Sequence, residues 1–435
     1  MTSKKYEEAY VWVWLPGEVE PVVAGRFFYG DDRIVFNYGK SYLERKESIP
    51  LYLPELPLKS GLIEPPVGFQ MANSLRDSSP DAWGRRVIMN RHFGQKGNDV
   101  DTTQLDELTY LLESGSDRIG FLDFQSSPTE YKARVQGSAS LEDLMNSASK
   151  VEKGLPLSDE LDQALNHGTS IGGARPKALI ESDDKKYIAK FSSSKDLSNM
   201  IKSEYVGMRL ACLVGIDSAN VELTTAGGKD VILVERFDRV RSPKGWQRKG
   251  MVSALTLLQL NELFARYASY EDLAEVIRHR FEKPSETLEE LYKRLVFNII
   301  VGNTDDHARN HAAFWNGQTL SLSPAYDICP QVRAGQVASQ GMLIAGQNNR
   351  GQLSLCLDSA KSYLLSRSEA VEIIEVILKS VVNNWTAVCE EAKLSKVERV
   401  MLAKNQFFNP YIFEGLESDA KFLSQYREAF SFHPH

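Results

Sequence analysis

Short runs of β-branched and aromatic residues open the chain. They cover Ala9 to Leu15, Val22 to Tyr29 and Arg33 to Tyr38, separated by Pro16-Gly17 and Gly30-Asp31-Asp32. Such runs between turn residues predict strands, here a small antiparallel sheet or barrel. Tyr42 to Pro54 reads as irregular, and Pro54 to Gly68 as a covering loop. Ser79 is placed to cap a helix with Pro80 at its first position. The helical pattern continues through Val87 to Arg91 and resumes from Leu105 to Leu112, and Ile119 to Phe124 reads as one more strand. Ser126 to Glu130 reads as a linker, Leu141 to Ser149 as a polar helix, and Gly154-Leu155-Pro156 as a second break.

From about residue 158 the order becomes strand, loop, strand, helix. Lys186 to Phe191 alternates as a half-buried strand, a helix is expected from about Asn199 to Val214, and Val231 to Val234 reads as a buried strand. Beyond it, Ala254 to Arg266, Tyr270 to Arg280 and Leu288 to Val301 repeat apolar residues at the i, i+3, i+4, i+7 spacing of helices. Ser366 with Glu369 and Ser395 with Glu398 are capping boxes that open two more helices. Gln336 to Gly351, with three glycines and the pair Asn348-Asn349, reads as a mobile loop near Asp327. The expectation is an α+β protein: a β-rich opening domain over residues 1–125, a mixed lobe over 130–238 and a large helical lobe over 239–435.

Composition narrows the class. With 435 residues, 42% hydrophobic and 25% charged, the chain is an ordinary globular protein with room for two or three domains. A net charge of -7 argues against an overall electrostatic nucleic-acid binder. The four cysteines, Cys212, Cys329, Cys356 and Cys389, form no C-x-x-C pair, which fits a reducing compartment. No apolar run follows the N-terminal Met1 to Glu8, and no stretch of about 18 apolar residues occurs. A cytoplasmic protein without a membrane segment is expected.

The candidate chemistry lies in Asn303-Thr304-Asp305-Asp306-His307-Ala308-Arg309-Asn310, followed by Leu320 to Asp327. An Asp, an Asn five residues later and a second Asp after a short interval is the spacing of protein kinases, in which they accept the substrate hydroxyl's proton and hold Mg²⁺. Asp305, Asn310 and Asp327 occupy those places. Turn and cap formation is the plainer reading of the same residue types. A zinc site is the other rival, because His307 and His311 are spaced i, i+4; Ala308 stands where that motif needs its Glu. Upstream, Gly168, Gly172 and Gly173 can admit phosphate close to the backbone, Lys190 lies in an alternating strand, and Glu204 begins the next helix. Glu235-Arg236-Phe237 follows a buried strand where a kinase would offer backbone to adenine, although Arg236 and Asp238 also read as a surface ion pair.

In this order, Ser170 to Ala178, Tyr187 to Phe191, Val234 to Arg239, Gly302 to Asn310 and Leu322 to Ile328 resemble the HipA family of serine/threonine protein kinases, toxins of bacterial HipBA modules. Leu75 to Arg85 and Asp106 to Leu112 resemble that family's N-terminal domain, so the resemblance covers nearly the full length. It implies a bilobal protein-kinase-like fold that uses ATP and Mg²⁺. It makes Asp305 the catalytic base, Asn310 and Asp327 the metal ligands, and Gly172, Gly173, Ala174, Arg175, Pro176 and Lys177 the phosphate loop. Lys190 would reach the phosphates, and Glu235, Arg236 and Phe237 would line the adenine. His307, Ala308, Arg309 and Tyr326 complete the nucleotide site. Ser170 matches the autophosphorylated serine whose modification ejects the loop. The implied partners are a HipB-like antitoxin, operator DNA through that antitoxin, and a protein substrate such as an aminoacyl-tRNA synthetase. Asp306 departs from the family's frequent Gly and would add charge near the metals. Rival functions are a catalytically weak co-repressor acting with a DNA-binding antitoxin, and a kinase of small molecules.

Overall fold

The computed structural model describes residues 6–93, 104–134, 140–155, 157–158, 165, 167–182, 184–193, 196, 199–333 and 335–431. Residues 1–5 and Pro156, which enter the N-terminal reading and the break after Gly154, lie outside them. The chain forms two compact units. The first comprises Met1–Asp196, Thr224–Val252 and Phe314–Gln318; the second comprises Leu197–Leu223, Ser253–Ala313 and Thr319–His435. The α+β class, the β-rich opening and the helical C-terminal part are as the residue pattern indicated.

Unit 1 begins with a sheet of five strands, β1 (Glu8–Val13), β2 (Val22–Tyr29), β3 (Ile34–Tyr38), β4 (Leu62–Ile63) and β5 (Leu122–Gln125). Their order is β4-β3-β2-β1-β5. A bulge between Val11 and Trp12 shifts the β1–β2 register, and Ala9, Val11 and Val13 are fully buried. Four more strands, β6 (Lys177–Glu181), β7 (Lys186–Phe191), β8 (Val221–Ala226) and β9 (Lys229–Glu235), form a sheet in the order β6-β7-β9-β8. The alternation expected of Lys186 to Phe191 is realised: Tyr187, Ala189 and Phe191 are buried while Lys186, Ile188 and Lys190 share the other face. The buried face packs Ala178, Ala189, Phe191 and Val231 against Trp83 and Val87 of one helix and Leu144 and Ala148 of another. Those helices are Ala82–Phe93 and Leu141–Glu152.

Unit 2 is built on the helices Met200–Leu213, Tyr270–Arg280, Pro284–Val301, Arg367–Glu391 and Lys396–Asn405. Pro284 opens the third of these from its first turn, where its missing N–H costs nothing, and Gly302 closes it in the left-handed region at φ 72°. A Cβ on Gly302 would sit 2.5 Å from the Gln406 carbonyl oxygen, so only glycine fits. Both expected capping boxes form, at Ser366 and Ser395.

Three local expectations are corrected. The helix after Ser79 starts at Ala82, and the Ser79 hydroxyl donates to Glu107 at 3.2 Å instead of capping. Ala254 to Arg266 is not one helix, because Gln259 adopts φ 53° and divides it into Ala254–Leu257 and a 3-10 turn at Glu262–Tyr267. The segment 336–351 is pinned rather than loose. Gln340 is buried, its Nε2 donates to the Asn303 carbonyl at 3.0 Å, and Ser339 pairs with Arg350.

Helix Ala82–Phe93 touches residue 169 so closely that Gly84 has no room for a side chain. A Cβ there would lie 1.9 Å from the Thr169 carbonyl oxygen. Gly84→Ala is therefore expected to cost unit 1 about 2 kcal/mol through overpacking, measured by urea unfolding followed through tryptophan fluorescence. A loss below about 0.5 kcal/mol, the usual range of neutral substitutions, would show that the helix does not bear on this loop.

Candidate active site

The glycine-rich loop of unit 1 lies between a 3-10 turn, His167–Ser170, and β6. The first turn of the Ala82–Phe93 helix holds it from several sides. The Gly173 N–H donates to the Asp81 carboxylate at 2.8 Å, and Gly173 needs its φ of 102° to do so. The Trp83 N–H donates to the Gly173 carbonyl at 3.2 Å, and its indole N–H donates to the Lys177 carbonyl at 3.2 Å. Arg86 donates to the Ala174 carbonyl. Lys177 is buried and its ammonium donates to the Gly172 carbonyl. Lys177 stands directly across from Lys190 in the β6–β7 register. Ser170 is 2% exposed, and among the described residues its hydroxyl has no hydrogen-bond partner.

Glu235 ends β9 and pairs with Lys185 at 2.9 Å. Arg236 does not form the surface ion pair that its neighbours in sequence suggested. Its guanidinium is fully buried, 3.0 Å from Asp117 and 2.8 Å from Asp238, and it also donates to the Asp117 and Arg118 carbonyls. Arg239 contacts the same two carboxylates, and fully buried Arg118 contacts Asp123 at 2.9 Å. Burial opposes ionisation of Asp117, but Arg236, Arg239, Arg248 and Lys186 outweigh it and hold the carboxyl well below its ordinary range. Asp123 and Asp238 are lowered by the same contest between burial and adjacent arginines. Burial pulls Arg118 and Arg239 down to about 10. Any contact of Arg236 with a nucleotide is thus left to its backbone. Phe237 packs edge-on against Phe314 at 5.9 Å.

In unit 2 the segment after Gly302 makes a compact loop. Asn303 donates through Nδ2 to Asn298 at 3.1 Å, and the Asn310 side-chain amide donates to the Asp305 carbonyl at 2.9 Å. Asp305 is exposed. Asp306 is turned inward with 1% of its side chain exposed, where it accepts from the Tyr270 hydroxyl and lies 2.8 Å from His311 Nε2. The departure at Asp306 therefore supplies an internal anchor and adds no carboxylate at the surface. Burial and then the Asp306 charge raise the Tyr270 phenol well above its ordinary value. The Tyr326 hydroxyl donates to the Arg309 carbonyl at 2.7 Å, which ties the Asp327 segment to the same loop. Asp327 sits at φ 60°, a strained setting for a non-glycine residue that tertiary contacts must maintain. Glu204, buried on the Met200–Leu213 helix, belongs to unit 2, and Lys190 to unit 1.

The donors suit a hard cation. Because Asn310 spends its NH₂ on Asp305, its amide oxygen is the atom left for coordination, and with the Asp327 carboxylate it offers the oxygen ligands magnesium prefers. Zinc is not favoured: His311 is buried against Asp306 and Tyr270, while His307 accepts the Arg309 N–H at 3.3 Å. Among the described residues, no group of three or more His, Cys, Asp or Glu side chains is arranged to hold a metal.

Comparison with known proteins fits this arrangement. The HipA N-terminal domain family matches residues 13–125, and the HipA-like C-terminal domain family matches 169–385. The chain belongs to the HipA family. The protein Y4mE of Sinorhizobium fredii is 30% identical over 140 residues, covering 30% of this chain and 32% of that protein. The serine/threonine-protein kinase toxin HipA of Shewanella oneidensis is 24% identical over 187 residues, 37% of this chain and 42% of that one. The matches thus span 32% and 42% of these two relatives' lengths. The solved Shewanella oneidensis MR-1 complex of HipA, HipB and operator DNA superposes with a TM-score of 0.64 at 16% identity, covering 97% of this chain and 96% of that one, which establishes a shared fold. All the HipA-type site residues expected here lie inside 169–385, and the loop's anchors Asp81, Trp83 and Arg86 lie inside 13–125. Those anchors carried a visible signal, the Asp81-Ala82-Trp83-Gly84-Arg85-Arg86 motif, but no role could be read for them until the loop was seen resting on them.

Removing Asp306 leaves a buried tyrosine hydroxyl and a buried imidazole without their acceptor. Asp306→Ala is expected to destabilise unit 2 by about 3 kcal/mol, and Tyr270→Phe by about 1 kcal/mol, both measurable by urea denaturation. Equal, near-zero losses would refute the anchor. The depressed carboxyls Asp117, Asp123 and Asp238 predict an acid limb for unit 1. Their folded pKa values lie below the unfolded ones, so their contribution is present at neutral pH and is lost as pH falls below about 4. The urea midpoint should stay level from pH 7 to 5 and then drop, with a shallower drop in Asp117→Asn.

Proposed function

We propose that this chain is an ATP- and Mg²⁺-dependent serine/threonine protein kinase, acting as a growth-arresting toxin that autophosphorylation of Ser170 silences. The observation that carries the reading is the division of labour at 305 and 306: Asp306 is buried as an anchor while Asp305 is exposed on a loop fixed by Asn310. In this reading Asp305 accepts the proton of a substrate hydroxyl, and Asn310 and Asp327 hold the metal. Magnesium, when bound, neutralises charge building on the phosphates. Lys190 and the backbone of Gly172 to Lys177 take the phosphates, and the chain at Glu235 to Phe237, with His307, Ala308, Arg309 and Tyr326, completes the nucleotide site. The loop's Gly173 N–H and Lys177 ammonium are now bonded to Asp81 and Gly172, so a phosphate has to displace those contacts. That closure is also what a catalytically weak co-repressor would show, and transfer activity separates the two.

Ser170 supports a switch through its burial. A phosphoryl group adds about -1.5 to -2 charge, which a site 2% exposed cannot hold without releasing the loop. The Shewanella oneidensis HipA is named a kinase toxin and is seen with HipB and operator DNA. On that basis we assign a HipB-like antitoxin, operator DNA through it, and a protein substrate such as an aminoacyl-tRNA synthetase. Among the described residues no helix is long and apolar enough to cross a membrane, and the site of action is assigned to the cytoplasm.

The deciding experiment uses labelled ATP, Mg²⁺ and lysate. Asp305→Asn should keep the fold and lower phosphoryl transfer at least 10²-fold, within the roughly 10²–10⁴ that proton acceptance contributes. Phosphate on Ser170 should be seen by mass spectrometry in wild type and vanish in that variant. Wild-type-like transfer by Asp305→Asn would overturn the assignment, and wild-type-like ATP affinity in Ser170→Asp would overturn the switch alone.

A further inference from the structure

Unit 1 contains a pocket of about 300 Å³ lined by none of the residues assigned to the nucleotide. Its walls come from the N-terminal strand and turn, from Tyr131, and from a two-stranded hairpin, β10 (Arg239–Ser242) and β11 (Gly245–Arg248). The hairpin is tied to the turn after β1, because the Gln247 side-chain amide donates to the Gly17 carbonyl at 2.7 Å. The cavity is thus preformed, which lowers the ordering cost of filling it.

Its lining is both aromatic and cationic. Trp14 and Tyr131 meet edge to face at 5.4 Å, and Trp246 is oriented by its indole N–H donating to Glu181 at 2.8 Å. Four cations, Lys186, Arg239, Lys244 and Arg248, face two carboxylates, Asp117 and the exposed Glu20, so the lining carries an excess of two positive charges. Asp117 is consumed internally: Lys186 reaches it at 3.0 Å and Arg239 at 2.8 Å. Arg248 lies with its guanidinium 3.4 Å from the Trp14 ring centre and donates one N–H to the Ser116 carbonyl at 2.9 Å. Among the described residues, neither Arg248 nor Lys244 has a carboxylate within ion-pair distance, although Arg248 acts on Asp117 from farther away. A half-buried guanidinium fixed by stacking, with its remaining N–H groups in a cavity, is set to receive an oxyanion in its fork.

We propose that this pocket binds an organic phosphate monoester carrying a flat ring, with the dianion on Arg248 and Lys244 and the ring against Trp14, Tyr131 and Trp246. Two cations without carboxylate partners match a charge of about -2, and a monocarboxylate would leave one uncompensated. The aromatic wall adds apolar contact that free phosphate cannot use. This assignment is independent of whether Asp305 transfers phosphate.

The test is calorimetric titration of the full chain with phenyl phosphate, and separately with inorganic phosphate, benzoate and phenol. Phenyl phosphate should bind at least tenfold more tightly than each of the other three. Lys244→Gln, an exposed change that leaves the fold intact, should weaken phenyl phosphate at least threefold, and Arg248→Gln at least tenfold. Lys190→Ala, in the nucleotide site, should leave the affinity unchanged. The proposal is overturned if phenyl phosphate does not bind, if Lys244→Gln binds it as wild type does, or if Lys190→Ala abolishes binding. Equal affinity for inorganic and phenyl phosphate would overturn the ring contact and with it the ligand class.

Discussion

Three guanidinium groups, Arg118, Arg236 and Arg239, and three carboxylates, Asp117, Asp123 and Asp238, are buried together in unit 1, and its architecture depends on their being satisfied at once. Burying ions this deeply earns little net stability, because desolvation offsets most of the attraction. Removing any one partner, however, leaves a charge with nowhere to go, which makes the arrangement all-or-none. Two stretches far apart in sequence meet in it: residues 117–123, which run into β5, and residues 236–239, just after β9. Gly120 also donates to Asp238 at 2.8 Å. The segment where β9 ends is therefore fixed in position by charge compensation rather than by apolar packing alone.

The glycine-rich loop obeys a related rule. Its backbone donors favour an anion, and in this structure the anion is the protein's own Asp81 carboxylate, while Lys177 folds back on Gly172. The loop's donors are thus kept occupied by the first turn of the Ala82–Phe93 helix and by the loop itself. Gly84 allows that helix to approach closely enough to do so. The N-terminal domain motif accordingly has a physical task, to hold the loop in a definite shape.

In unit 2, adjacent acids have opposite fates. Helix Pro284–Val301 ends at Gly302, and the turn that follows sends Asp306 into the interior toward Tyr270 and His311 while leaving Asp305 at the surface. Gln340 and Gly341 brace the same turn from outside, the former by its bond to the Asn303 carbonyl and the latter by lying close to the Asp306 carbonyl. A segment rich in glycine and asparagine that reads as loose on composition is instead the support of this loop.

The sequence by itself determined four of the five strands of the opening sheet, β4 lying in the segment that reads as a covering loop, together with the alternation of Lys186 to Phe191, the helical period of Leu288 to Val301, both capping boxes and the family. These are legible because they rest on period, turn chemistry and short-range spacing. Tertiary structure alone decided that Arg236 is buried rather than paired at the surface, that Asp306 points inward, that Ser79 bonds Glu107 rather than capping a helix, and that residues 336–351 are pinned. It also decided which arginines are compensated and which face a cavity. None of this can be read from the chain, because a side chain's charge partner is chosen by which distant backbone is folded against it. Residues 117 and 236, or 81 and 173, carry no local mark that they will meet.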